Sequence, residues 1–275
     1  MIGKTRQSDP IATSPFAQGC GVLRHSQSPG TYRHTRYAPT GALADWVQHF
    51  WVERWDLRGC EAQTREVLPH PCVHLAFARG RTRVYGVQLN RFVRELKGED
   101  CVLGVKFRPG AFYPFLGKPV CSIANLSFPA QQLFDGVLGA EESVLACRED
   151  RDMVEMASRF LLARLPPLDP VIAQASAAVE RIASDSSLTR VESLAALCGM
   201  RDRTLQRMFR RYIGASARWV IKRYRVYEAL EQLSHAGAGD FAALAQSLGY
   251  YDQAHFINDF RHLVGCSPTE YVGGR

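Results

Sequence analysis

Between Arg201 and Arg211 the chain sets hydrogen-bonding side chains opposite an apolar edge. Leu205, Met208 and Phe209 recur at helical spacing on one face, and Arg203, Gln206, Arg207 and Arg210 fall on the other. Arginine can grip guanine O6 and N7 with two hydrogen bonds, and glutamine can do the same for adenine N6 and N7. Arg203, Gln206 and Arg207 are therefore candidate base-reading residues. Arg210 and Arg211 lie at the C-terminal end of this helix, where phosphate contact is expected. A second helix follows the same plan, with Phe256 and Phe260 on its core face. Gln253 and Asn258 suit adenine, Ala254 suits a thymine methyl, and Arg261 suits a phosphate. His255 reads as a packing or phosphate-proximal histidine, and Asp252 as the N-cap.

Each helix belongs to a repeated unit. Leu194–Val220 and Leu244–Val272 both run through a short Leu-Ala helix, a glycine, a helix ending in Phe-Arg, another glycine and a serine able to cap a helix. The turn glycines are Gly199 and Gly249, where a left-handed cap is expected. This is a duplicated helix-turn-helix, a unit whose chief use is reading the DNA major groove. Charge supports that reading unevenly. The whole chain carries a net +7. Arg201, Arg203, Arg207, Arg210, Arg211, Arg218, Lys222, Arg223 and Arg225 are accompanied by a single acid, Asp202, a local net of +8. From Asp240 to Arg275 two arginines meet four acids, a net of −2. The first unit should carry most of the phosphate attraction.

The elements that position these helices follow from composition. At 275 residues there is room for two domains. Residues 1–30, rich in Ser, Gln, Pro and Gly, read as a mobile tail. Residues 31–140 read as a mixed α+β regulatory domain with a β-rich centre. Residues 40–48 suggest a short helix capped by Thr40, and HFWVERW, CVHLAFA, TRVYGV, RFVREL and CVLGVKF are strand-like runs. A short apolar helix, AFYPFLG, is expected after Arg108-Pro-Gly. Residues 141–168 read as one helix, over 141–165, and a Pro-rich linker. Residues 169–275 read as an all-α domain of seven pieces, at 170–184, 191–198, 202–212, 216–235, 240–248, 252–264 and 268–272, with Thr189, Ser216 and Ser267 as caps.

Other chemistry is thinner. The eight cysteines include no CxxC pair, which fits reduced thiols in a cytoplasm; Cys198 reads as a buried thiol. His70, Cys72 and His74 have metal-ligand side chains at alternate positions, but Val73, Leu75 and Phe77 between them are those of a strand packed on a core, and no metal is expected. Phe50, Trp51, Trp55, Phe107, Phe112, Tyr113 and Phe115 read mostly as core, with a minority available to line an aromatic pocket. Arg108 could hold a carboxylate ligand, and reads rather as a structural salt bridge. The N-terminus lacks a signal-peptide run, no stretch approaches the ~20 apolar residues of a membrane span, and no Walker loop, HExxH or GxSxG occurs.

The segments LAALCGM, TLQRMFRR and IGASARWVIKRYRVYEAL, then LAQSLGYYDQAHFINDFR and VGCSPTEYV, resemble the C-terminal domain of the AraC/XylS family of bacterial transcription regulators. The resemblance covers Leu194–Tyr271. It implies two helix-turn-helix units joined by a long helix at about 216–235, with recognition helices in successive major grooves. It places Arg203, Gln206 and Arg207, and Gln253, Ala254 and Asn258, at base-reading positions. Where the family often carries arginine, this chain has Asn258, so the second unit is expected to discriminate bases less. VLPHPCVHLAF, RVYGV and GVKFRPGAFYPFLGKPV resemble the front domain of one branch of these regulators. The implied function is a non-enzymatic, sequence-specific DNA-binding regulator that responds to a signal and needs no cofactor. Its expected partners are double-stranded DNA, a small-molecule effector and RNA polymerase, with no membrane, and it would act as a monomer or homodimer. The alternatives are a DNA-repair alkyl acceptor fused to the same domain, and a constitutive DNA binder without ligand.

Overall fold

Alternation of side chains along the strands decides how the N-terminal half is layered. The computed structural model describes residues 22–24, 31–236 and 240–273. The strands are β1 (Val22–Arg24), β2 (Thr31–Tyr37), β3 (Val47–Leu57), β4 (Gln63–Val67), β5 (His74–Ala78), β6 (Arg83–Tyr85), β7 (Phe92–Leu96), β8 (Gly98–Phe107) and β9 (Ser127–Pro129). They form two antiparallel sheets, in the orders β1-β4-β7 and β2-β3-β8-β5-β6-β9. Along β3, β5 and β8, Phe50, Val52, Leu75, Phe77, Leu103 and Val105 enter the main core. The alternate residues Trp55, Ala76, Ala78 and Val102 instead meet Leu96 of β7 in a smaller core between the sheets. Val73 packs with Leu75 and Phe77 as expected, leaving Cys72 and His74 to face the other way.

Helices cover the main-core face. They are α1 (Tyr113–Leu116), α2 (Val137–Ala146) and α3 (Asp150–Leu162). Phe77 of β5 meets Phe160 of α3 edge to face, with centroids 6.0 Å apart. Four sequence expectations change here. The helix expected over 141–165 is two helices, broken where Cys147 and Glu149 take extended backbone. The break places Asp150, 4 % exposed, to accept hydrogen bonds from Arg33 (2.9 Å), Arg54 (2.8 Å) and Tyr37 (3.1 Å). The helix expected over 40–48 is only a 3-10 turn, Gly41–Asp45, with no side-chain bond from Thr40. Pairing of β3 with both β2 and β8 claims the residues beyond it. Within the segment read as a tail, Val22–Arg24 pairs with β4; the rest of residues 1–30 lies outside the described residues. Finally, β2 and β4 arise from stretches without an apolar alternation.

The C-terminal half consists of α4 (Val171–Ser184), α5 (Val191–Leu197), α6 (Asp202–Met208, continued by a π-turn over Phe209–Ile213), α7 (Ala217–Ala236), α8 (Phe241–Ser247), α9 (Gln253–Val264) and α10 (Pro268–Gly273). These match the seven expected pieces to within a residue or two at most ends. The main core runs without a break from Leu43 in the 3-10 turn and Phe50 in the sheet to Leu205 and Phe209 in the first helical unit and Ile221 of α7. The second unit has a core of its own, built on Val226, Phe256 and Phe260, which Leu68 of the front domain enters. The chain through Leu165–Asp169 is irregular, as the proline cluster requires. It joins halves that share a core, so it does not act as a loose tether.

Candidate DNA interface

The two units are built by the same hydrogen bonds. In the first turn, Gly199 N donates to Ala196 O (3.0 Å) and Met200 N to Ala195 O (2.9 Å). In the second, Gly249 N donates to Gln246 O and Tyr250 N to Ala245 O, both at 3.0 Å. Gly199 and Gly249 have φ of +62° and +76°, the left-handed cap conformation expected of them. After the turn the repeat gains one residue. Leu205, Phe209, Gly214 and Ser216 then correspond to Phe256, Phe260, Gly265 and Ser267. In that register Arg203 corresponds to Ala254, Arg207 to Asn258, and Arg210 to Arg261.

Each recognition helix is fixed by its apolar face. Leu205, Met208, Phe209, Tyr212 and Ile213 are buried along α6 and its π-turn. Arg203, Gln206, Arg207, Arg210 and Arg211 are all exposed. Phe256, Phe260, Leu263 and Val264 are buried along α9, leaving Gln253, Ala254, Asn258 and Arg261 exposed. Asp252 caps α9 by accepting from His255 N at 2.7 Å. His255 lies edge-on to Tyr250 and 3.5 Å from Asp259, a packing position. Ser216 accepts from Trp219 N (3.1 Å), and Ser267 forms a reciprocal cap with Glu270. Thr189 is not a cap, because α5 starts two residues later with Arg190 at its N-cap; its methyl instead lies against Gly249. Tyr251, 94 % exposed at the N-terminal end of α9, is a large polar-tipped ring that helical spacing places near the same polar faces and to which the sequence assigned no role.

Burial redistributes the basic charge counted in the sequence. Arg223, 2 % exposed, donates through Nε to Pro69 O at 2.7 Å. Arg225 donates to Glu228 (2.7 Å) and to Ile182 O (2.8 Å), and its burial lowers its pKa. Lys222 pairs with Asp259 at 2.8 Å. Of the nine cations in Arg201–Arg225, Arg223 and Arg225 are therefore turned inward, and Lys222, partly exposed, is already paired with an acid. Arg211 is exposed, but its Nε donates to Tyr113 OH at 2.7 Å and its guanidinium lies over that ring. Arg201, Arg203, Arg207, Arg210 and Arg218 remain on the surface.

The other candidates resolve by packing. Arg108 donates to Ala44 O at 2.6 Å and lies 3.6 Å from Glu180, the structural role expected of it. Phe50, Phe107 and Phe112 are core, whereas Trp51 lines a cavity between the sheets. Cys198 is half-buried at the end of α5, not fully buried, because it is the C-cap residue. All seven cysteines among the described residues are free thiols. Among the described residues, no helix is long and apolar enough to cross a membrane, and no group of three His, Cys, Asp or Glu converges as metal ligands would.

Fold and surface together define a duplicated helix-turn-helix domain carried behind a two-sheet front domain. Residues 194–273 match the family model of a helix-turn-helix domain, and this part of the chain is a helix-turn-helix of the AraC type. Residues 35–129 match a domain of unknown function (DUF6597). No curated protein sequence matches the chain. Among solved structures the chain is similar to ToxT of Vibrio cholerae O395, at 12% identity over 89% of this chain and 97% of ToxT, with a TM-score of 0.38. It is also similar to apo ToxT of V. cholerae strain SCE256, at 10% identity over 86% and 99% with a TM-score of 0.38. The unsaturated fatty acid-bound form from that strain gives 9% identity over 90% and 96%, with a TM-score of 0.34.

Proposed function

We propose that the protein is a sequence-specific transcription regulator that binds DNA through α6 and α9 and senses a signal through its front domain. The observation that carries this reading is the pair of identically built turns, each presenting polar side chains over a buried apolar face. Arg203, Gln206 and Arg207 read bases from α6, and Gln253, Ala254 and Asn258 from α9. Arg210 and Arg261 contact phosphates, and Arg211 joins them once Tyr113 releases it. The 20-residue helix α7 spans about 30 Å, a scale that suits recognition helices in major grooves about 34 Å apart. In this reading residues 31–140 are the sensor, 141–168 the connection and 169–275 the DNA-binding domain. RNA polymerase is the downstream partner, and the protein works in the cytoplasm as a monomer or dimer.

Two observations separate this reading from the others. A cysteine alkyl acceptor needs a thiolate, and burial, which pushes the thiols of Cys72 and Cys101 up in pKa, speaks against those two of the eight cysteines in that role. A constitutive binder needs only a filled front domain, whereas this one holds a cavity between its sheets. The test is selection of bound duplexes from a random DNA library by the full chain. An enriched two-part motif with its parts about one helical turn apart supports the proposal. Binding without sequence enrichment would reject it.

A further inference from the structure

The second turn of the duplication holds one residue more than the first. In the first unit Met200 closes the turn, and Arg201, the N-cap of α6, follows at once. In the second, Tyr250 closes the turn by the same hydrogen bond, and Tyr251 intervenes before Asp252, the N-cap of α9. The first unit makes its turn with no counterpart of Tyr251, so turn geometry does not call for this residue. Packing does not call for it either. Tyr250 is half-buried, with its ring edge-on to His255 and 5.4 Å from that of Phe256. Tyr251 is 94 % exposed. A ring left so far in water gains by being covered.

Its place is the leading end of a recognition helix, and the N-terminal residues of such helices contact base edges. The exposed residues that follow it are Gln253, Ala254, Asn258 and Arg261. Glutamine and asparagine match adenine, and alanine matches the methyl of thymine; none of these three forks guanine as arginine does. Charge lends this face little. Arg261, in the last turn of α9, is offset by Asp252 at its start, and Lys222 is spent on Asp259. The face of α6, by contrast, carries Arg203, Arg207 and Arg210. Uncharged contact surface is what α9 has to offer, and Tyr251 is the most exposed large apolar side chain of the described residues. In the major groove the apolar feature that a ring can cover is the thymine C5-methyl.

We infer that Tyr251 is a further base-reading residue, its ring covering the methyl of a thymine, and that the half-site met by α9 is recognised as A·T pairs. The inference rests on the DNA-binding reading proposed above and adds to it a contact and a half-site composition. Four side chains then share the second half-site, with Gln253 and Asn258 on adenines and Ala254 and Tyr251 on thymines. The hydroxyl of Tyr251 could instead reach a phosphate, but a phosphate contact carries no sequence information. The two roles therefore part in experiment.

The test uses the full chain and a duplex that it enriches from the random library. The half whose preference relaxes in Arg207→Ala is assigned to α6, and the other half to α9. In the α9 half, thymines are replaced one at a time by deoxyuridine, which keeps the base pairing and removes only the methyl. One replacement should weaken binding by the parent about fourfold, the factor that one covered methyl is worth. In Tyr251→Ala the same replacement should have no effect, while a second thymine, the one read by Ala254, should stay sensitive. Tyr251→Phe keeps the ring and should respond like the parent. Both variants should match the parent in Tm, because the side chain is exposed. The inference is wrong if no deoxyuridine effect depends on Tyr251, or if the α9 half is not enriched in A·T pairs. It is also wrong if Tyr251→Phe binds as weakly as Tyr251→Ala, which would make the hydroxyl the contact. A parent chain that binds its enriched duplex with Tyr251 indifferent rejects this role alone. A parent chain that enriches no sequence rejects the functional reading itself.

Discussion

Arg207 shows how much a residue's role depends on what lies behind it. Leu205, Met208 and Phe209 anchor α6 from within, so Arg203, Gln206 and Arg207 stand outward with a fixed orientation. Arg207→Ala or Gln206→Ala should cost about 1–3 kcal/mol of specific binding and relax preference at one or two base pairs; competition titrations against single-base operator variants measure this. Arg210 and Arg211 have the same charge and different neighbours. Arg210→Ala should flatten the slope of log K against log salt by ~0.9, the value of one phosphate contact. Arg211→Ala should change it less, since Arg211 is engaged by Tyr113. Tyr113→Phe should release it and strengthen binding to all sequences alike. Inside the front domain, His49 and His74 set a pH dependence. Their folded pKa values, about 2 and about 3, lie below the ordinary histidine value. The unfolded chain therefore takes up protons first as pH falls. Stability should drop from about pH 6.5 toward the folded values, and His49→Gln with His74→Gln should flatten that limb in urea titrations at successive pH values.

At the scale of elements, the two turns look alike and should respond differently. Both glycines hold a positive φ that costs an L-residue roughly 1–2 kcal/mol. At Gly199 a Cβ would meet nothing within 4 Å, whereas at Gly249 it would run into Thr189. Gly199→Ala should therefore lose about 1 kcal/mol of stability, and Gly249→Ala distinctly more, by denaturant unfolding. Equal losses would remove the Thr189 contact from the account. The recognition helices also differ. Arg203 and Arg207 of α6 correspond to Ala254 and Asn258 of α9, so the second half of the operator should be the more degenerate. Asn258→Arg should raise affinity by on the order of 1 kcal/mol. Asp259 competes little for the new cation because Lys222 and His255 already engage it. Titration against operators randomised in each half decides both points.

Across the whole molecule, the core divides in a place the chain order does not suggest. The main core joins the front domain to the first helical unit, and the second unit stands on its own core with Leu68 inserted. Leu194→Ala should cost about 2–5 kcal/mol and lower hydrogen-exchange protection in both the sheet and α5–α6. Phe260→Ala should cost about 3–5 kcal/mol and lower protection chiefly in α8–α10. If Phe260→Ala instead loosens the sheet as much as α9, the two cores are one cooperative unit.

Much of this organisation was written in local pattern. The duplication, the seven C-terminal helices, the left-handed glycines, the caps at Ser216, Asp252 and Ser267, and the exposed polar faces of α6 and α9 follow from helical spacing and backbone sterics, which act within a few residues. Tertiary structure decided what depends on distant partners. Strand β4 escaped notice because its inward residues, Gln63 and Arg65, are polar, and Arg65 lines a cavity that exists only once two sheets face each other. The basic run at Arg201–Arg225 counts as uniform charge in the chain. Folding turns Arg223 and Arg225 inward and ties Arg211 to Tyr113, because long flexible cations take whatever acceptors the packed helices bring near. His49, His74 and Lys106 lie far apart in the chain, and antiparallel register alone sets them in one row.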